Sequence, residues 1–255
     1  MMAPENTDGV DDRIQREADF HDHRFAEGSR PAGRFYAITG ASDDRYQQLV
    51  DEIEAPAHVL ELGCGLHSKM WGLLERGVQV TAIDISQVAI DAAIEEYRRR
   101  ELSGGELRVM NAEALEFPDD TFDAVTGSGI LHHLDLRRGV AECARVLKPG
   151  GRLIAIEPMG HNPAVNLYRR YTPDQRTDDE HPLLMADFDA MERNFAELHV
   201  DFYHFLSLGA LALSRTSAFP RAIAGLDRAD HWVFSKLPFA RRMAWMAVIE
   251  ATGPR

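Results

Sequence analysis

Val59-Leu60-Glu61-Leu62-Gly63-Cys64-Gly65-Leu66-His67-Ser68 decides the fold of this chain. It reads as a short apolar strand that carries an acidic residue near its end and breaks into a glycine turn. A strand buried on both faces of a parallel sheet shows such a continuous apolar run. Two closely spaced glycines let the backbone turn sharply and approach a ligand where a Cβ would collide.

Working outward, strand and helix patterns alternate. The pattern predicts strands at His58–Leu62, Gln79–Asp84, Leu107–Met110, Phe122–Thr126 and Arg152–Glu157, with helices at about Ser68–Arg76, Gln87–Glu101 and Arg138–Leu147. Such alternation implies an α/β fold, a doubly wound parallel sheet with helices on both faces. A polar, irregular stretch over 158–185 follows, then a helix at about Ala186–Glu197 and strand character at Val200–Leu206 and Ala244–Ala251. Between those last two strands, 207–242 reads as an apolar helical insert. Residues 1–53 read as an acidic, disordered tail to Asp12 and a cap of two or three short helices around Gly28, Pro31 and Gly40, leaving 54–255 as the main domain.

Bulk properties narrow the function. The 255 residues suffice for one α/β domain with additions. Twenty-eight Lys and Arg against 41 Asp and Glu give a net charge of -13, which opposes nucleic acid and anionic membrane surfaces as partners. The two cysteines, Cys64 and Cys143, offer no disulfide framework. With no apolar run long enough to span a bilayer and no signal-peptide pattern, a cytoplasmic protein is expected. Oligomeric state is left open.

A glycine pair after a strand suits several nucleotide ligands. Glu61 separates them: its carboxylate at the mouth of the turn would repel the pyrophosphate of a dinucleotide but attract an ammonium and a sulfonium. Ser68 also departs from the dinucleotide fingerprint, whereas Asp84 suits either ligand.

Glu61-x-Gly63-x-Gly65 resembles the first motif of class I S-adenosylmethionine-dependent methyltransferases. Four further segments follow in that family's order: Thr81-Ala82-Ile83-Asp84-Ile85-Ser86, Asn111-Ala112-Glu113-Ala114-Leu115-Glu116-Phe117-Pro118, Thr121-Phe122-Asp123-Ala124-Val125 with Ile130-Leu131-His132-His133-Leu134, and Arg145-Val146-Leu147-Lys148-Pro149-Gly150-Gly151. The resemblance covers about Val59 to Glu157 and is nearest to the small-molecule enzymes of quinone and secondary metabolism. It implies a Rossmann-like seven-stranded sheet with the last strand antiparallel, and S-adenosylmethionine as cofactor. Gly63 and Gly65 would admit its methionine and ribose portion, Glu61 its amino-acid end, Asp84 its ribose hydroxyls, and Asn111 with Ala112 its adenine; Cys64, Ile85 and Ser128 complete the expected contacts. Asn111 stands where the family more often has Asp, and His67 where many members have a third glycine.

Methyl transfer from a sulfonium is an in-line displacement, so positioning the acceptor and excluding water are the main tasks, and a base helps only an unactivated hydroxyl. His132 and His133, at the exit of the fourth strand, are the catalytic candidates, as pocket lining or as a base. Tyr36, Glu157, His161, Tyr168, Arg176 and His181 are expected to build the acceptor site. No metal is expected: His21 and His23, two apart on a helix, diverge, and no other pair has ligand spacing. The anticipated activity is methylation of a small, partly apolar acceptor, with O-methylation ahead of N- or C-methylation. A nicotinamide-dependent oxidoreductase and a non-catalytic cofactor-binding protein are the alternatives.

Overall fold

Seven strands form a single sheet in the order β3-β2-β1-β4-β5-β7-β6. In this computed structural model, which describes residues 7–26, 35–66, 68–173, 177 and 179–255, the strands are β1 His58–Leu62, β2 Gln79–Asp84, β3 Gly105–Val109, β4 Phe122–Ser128, β5 Leu147–Pro158, β6 Phe195–Tyr203 and β7 Met246–Pro254. The first five pair in parallel, and β7 inserts antiparallel between β5 and β6. Only the last strand is reversed, as the family resemblance implied.

Alternate residues of each strand feed two cores. Leu60, Leu62, Ile83, Val125, Leu153 and Ile249 pack on one face, with Val140 and Cys143 of α5 (Leu136–Val146) and Met191 of α7 (Phe188–Asn194). Val59, Val80, Ala82, Ala124, Ile154 and Val248 pack on the other, under α2 (Gly40–Asp51), α3 (Met70–Glu75) and α4 (Gln87–Arg99). Burial on both faces explains why these strands read as continuous apolar runs.

Elements at the ends differ from the sequence reading. Residues 7–12, expected as part of a disordered tail, are already helical in α1 (Thr7–Ala26); residues 1–6, Gly28 and Pro31 lie outside the described residues. Contacts farther along hold it. Arg13 donates to Glu113 and to the His133 carbonyl oxygen (3.0 Å), and Asp22 accepts from the Ser86 hydroxyl and from Val88 N (3.2 Å). Once those turns are fixed, each further residue adds a hydrogen bond at low entropic cost.

The stretch 158–185 contains α6 (Pro163–Tyr171), where an irregular loop was expected. Asn162 caps it by accepting from Ala164 N (3.0 Å) and Val165 N (3.3 Å), and Pro163 fills the first helical position, where no N–H is needed. The helix expected to reach Glu197 stops at Asn194, because Phe195 already pairs with Pro254 as the start of β6. Between β6 and β7 lies the helical insert, dominated by α8 (Phe219–Lys236). Asp230 of α8 ties it to the strand end, accepting from Phe205 N (3.0 Å), Leu206 N (2.7 Å) and Ser207 N (3.1 Å).

Candidate active site

At the carboxyl ends of β1, β2, β4 and β5 a cavity of about 840 Å³ opens, roofed by α1. Ligands of open α/β sheets sit at this edge, where strand order reverses. Here the reversal falls between β1 and β4.

The glycine turn closes over the ends of β1 and β2. Gly63 and Gly65 adopt φ of +62° and +48°, in the left-handed region that favours glycine. A Cβ on Gly63 would lie 3.0 Å from Ile130 Cδ1, and one on Gly127 would lie 2.7 Å from Ile130 Cγ2. Ile130 therefore presses on two glycines at once, and bulk at either would displace it. Cys64 N donates to the Ile83 carbonyl oxygen (3.1 Å) and Gly65 N to Asp84 Oδ2 (2.9 Å), which ties the turn to β2.

Both acidic residues are buried and partly satisfied. Glu61, 5% exposed, accepts from the Ser68 hydroxyl and from Lys69 N (2.7 Å). Burial nevertheless raises its carboxyl above the ordinary range, against those hydrogen bonds. Asp84 accepts from Gly65 N and Ser86 N (2.9 Å each), and burial raises it too. Ser86, not Asp84, caps α4, accepting from Ala89 N (3.1 Å).

Glu61, Gly63, Cys64, Gly65, Asp84, Ile85, Asn111, Ala112 and Ser128 all line the cavity. This end fits an aminoacyl nucleoside: small residues where backbone must approach, an anionic carboxylate for an ammonium, and a second carboxylate whose oxygens keep lone pairs for a diol. Asn111 Oδ1 already accepts from Glu113 N (2.9 Å), which leaves it one further lone pair. His67 lies outside the described residues.

Over β4 and β5 the polar groups converge differently. His132 and His133 stand in a 3₁₀ turn, Leu131–His133, each about nine-tenths buried and lining the cavity. Glu157, fully buried on β5, accepts from Ile130 N (2.9 Å) and Leu131 N (2.8 Å) through Oε1, and its Oε2 lies 2.7 Å from His132 Nδ1. A carboxylate can only accept here, so the pairing assigns the ring proton to Nδ1 and leaves the Nε2 lone pair for the cavity. Glu180 Oε1 lies 3.8 Å from that Nε2.

The expected acceptor residues divide. Tyr36 and Tyr168 line the cavity. Three do not. Glu157 lies beneath the histidine turn, because three donors there require a buried carboxylate. His161 accepts from Met185 N (3.1 Å) and so pins the following loop. His181 points away, with Nε2 3.3 Å from Asp187 Oδ2, while its backbone N donates to the His132 carbonyl oxygen (2.7 Å). Arg176 lies outside the described residues.

Sequence reasoning missed Arg13, Glu17 and Trp245, which line the cavity together with His21, Phe25, Arg169 and Glu180. A spacing signal existed for α1: Glu17 and His21 are four apart, on one helical face. Their partner, His133, is distant in sequence, and only the fold brings it close.

Residues 60–155 match a family model described as a methyltransferase domain. Over 173 residues the chain is 29% identical to a ubiquinone biosynthesis O-methyltransferase of Alkalilimnicola ehrlichii, covering 64% of this chain and 68% of that protein. These matches support a class I S-adenosylmethionine-dependent methyltransferase. A demethylmenaquinone methyltransferase of Clavibacter sepedonicus is 36% identical over 120 residues, 46% of each chain. Among solved structures, a phosphoethanolamine N-methyltransferase 2 of Haemonchus contortus in complex with S-adenosyl-L-methionine matches this methyltransferase with a TM-score of 0.63 at 16% identity, over 92% of this chain and 60% of that one. That likeness shows the fold. Matching lengths run from about two thirds of the first relative to under half of the second.

Proposed function

We propose that this methyltransferase methylates a small, partly apolar acceptor, with a hydroxyl oxygen as the receiving atom, and that His132 is its general base. In this reading residues 1–53 cap the site, residues 54–255 carry it, and the enzyme works in the cytoplasm. The observation that supports oxygen is the Glu157–His132 pair, at 2.7 Å, which turns Nε2 toward the cavity, 3.8 Å from Glu180 Oε1, as the proton acceptor. An amine or an ionised phenol needs only positioning, whereas a neutral hydroxyl gains from a positioned base. The quinone-pathway names of the relatives are consistent with a phenolic acceptor.

When bound, S-adenosylmethionine would supply an electrophilic methyl carbon on a sulfonium, with the neutral thioether S-adenosylhomocysteine as leaving group. Glu61 would hold its ammonium end and Asp84 its ribose, and the glycine turn would let the backbone approach it. Tyr36, Tyr168 and Trp245 wall the space over β5 and β7 and exclude water from the acceptor, whose proton passes to His132 Nε2 as the oxygen–methyl bond forms. Glu157 stabilises the resulting imidazolium. The nicotinamide alternative gains no support from the relatives, and Glu61 opposes it.

The test is incubation with S-adenosylmethionine and a panel of catechols, hydroquinones, amines and enolisable carbon acids, with products read by mass spectrometry. A phenolic acceptor gaining one methyl on oxygen is expected, with His132→Ala lowering kcat by about 100-fold or more. Methylation only of amines, or full turnover by His132→Ala, would contradict the proposal.

A further inference from the structure

We infer that Glu17, His21 and His133 form a binding site for one divalent transition-metal ion, which joins α1 to the histidine turn. One donor atom from each lies within 4.8 Å of the other two. Glu17 Oε2 is 3.1 Å from His133 Nδ1 and 3.6 Å from His21 Nε2. Metal–ligand bonds of about 2.1 Å at tetrahedral angles place donors about 3.4 Å apart, so the two measured edges match such a shell.

The second observation is that two of these donors lack a hydrogen-bond partner. Glu17 Oε2 and His133 Nδ1, on side chains only 4% and 9% exposed, make no hydrogen bond despite their proximity. A bound cation would give these buried polar atoms the partner that burial otherwise denies them.

The donor set selects the ion. Two imidazoles and one carboxylate suit Zn²⁺, Co²⁺, Fe²⁺ or Mn²⁺, whereas Mg²⁺ and Ca²⁺ prefer oxygen. Arg13, the nearby cation, has its charge matched by Glu113. Three protein ligands leave a coordination position open toward the cavity that all three line, where an acceptor oxygen could bind.

The experiment is equilibrium dialysis of the untagged, EDTA-treated full chain against Co²⁺ in excess Mg²⁺, with metal counted by mass spectrometry and visible absorption recorded. One Co²⁺ per chain is expected, with a d–d absorption band, and at least about tenfold weaker binding in both Glu17→Gln and His21→Ala. Far-UV circular dichroism and a separate titration with S-adenosylhomocysteine show whether each variant still folds and holds its cofactor. Substoichiometric Co²⁺ on the wild-type chain, or equal affinity in folded variants, would overturn the site whatever the fate of the methyl-transfer reading.

Discussion

Glu61 is where charge discriminates ligands. Its carboxyl is raised by burial, so it takes up a proton above the pH at which an exposed glutamate does. In the ligand-free protein its contribution to stability is therefore largest below the ordinary glutamate range and is lost as pH rises through the raised value. Binding the cofactor's ammonium requires the opposite state, the carboxylate. Affinity for S-adenosylhomocysteine should thus fall on acidification before an ordinary glutamate would titrate. In Glu61→Gln binding should be about tenfold weaker and the acidic decline flattened, both readable by calorimetry across pH. The residue was legible in the sequence because its sign of charge excludes a class of ligand. Glu157, also acidic and near a strand end, was misread as an acceptor contact, since only the structure reveals the three donors above it.

Among the elements, α1 depends on polar ties rather than an apolar face. Arg13→Ala would leave the buried Glu113 carboxylate without its cation, although Asp135 N (2.8 Å) still donates to it. The expected cost is about 1–3 kcal/mol, with α1 cut earlier in limited proteolysis. Unchanged proteolysis would mean that the ties of Asp22, Glu17 and Arg16, the last to Asp179 (2.9 Å), suffice to hold the helix. This explains why α1 was poorly legible: polar anchors to residues a hundred positions away leave no periodic apolar stripe. The Asn162-Pro163 start of α6 was legible in principle, a cap followed by a proline at the first helical position, but the His, Asn and Arg around it suggested a loop. Strands β1, β2, β4 and β5 were legible because both their faces are buried, and their pattern does not depend on distant partners.

For the whole molecule, acid stability should report His204, which joins β6 to the helical insert at a left-handed φ of +65°. Its imidazole lies against the hydroxyls of Ser42 (2.8 Å) and Ser207 (3.3 Å), and burial pushes it down to about 4. Below about pH 6.5 the unfolded chain protonates this histidine while the folded one does not, so stability falls as pH drops from there toward about 4. The loss should be about 3 kcal/mol in urea titrations, and His204→Asn, which tolerates the same φ, should remove that part of the pH dependence. An unaltered pH dependence in that variant would assign acid sensitivity to other groups.

The central claim is that the cavity over β1 and β2 holds S-adenosylmethionine through Glu61 and Asp84. Calorimetric titration of S-adenosylhomocysteine into the wild-type chain, Glu61→Gln and Asp84→Asn, with NAD as the comparison ligand, tests it most directly. One site per chain is predicted, weakened about tenfold or more by each substitution, with no heat from NAD. Binding of NAD in preference, or S-adenosylhomocysteine binding unaffected by both substitutions, would contradict it.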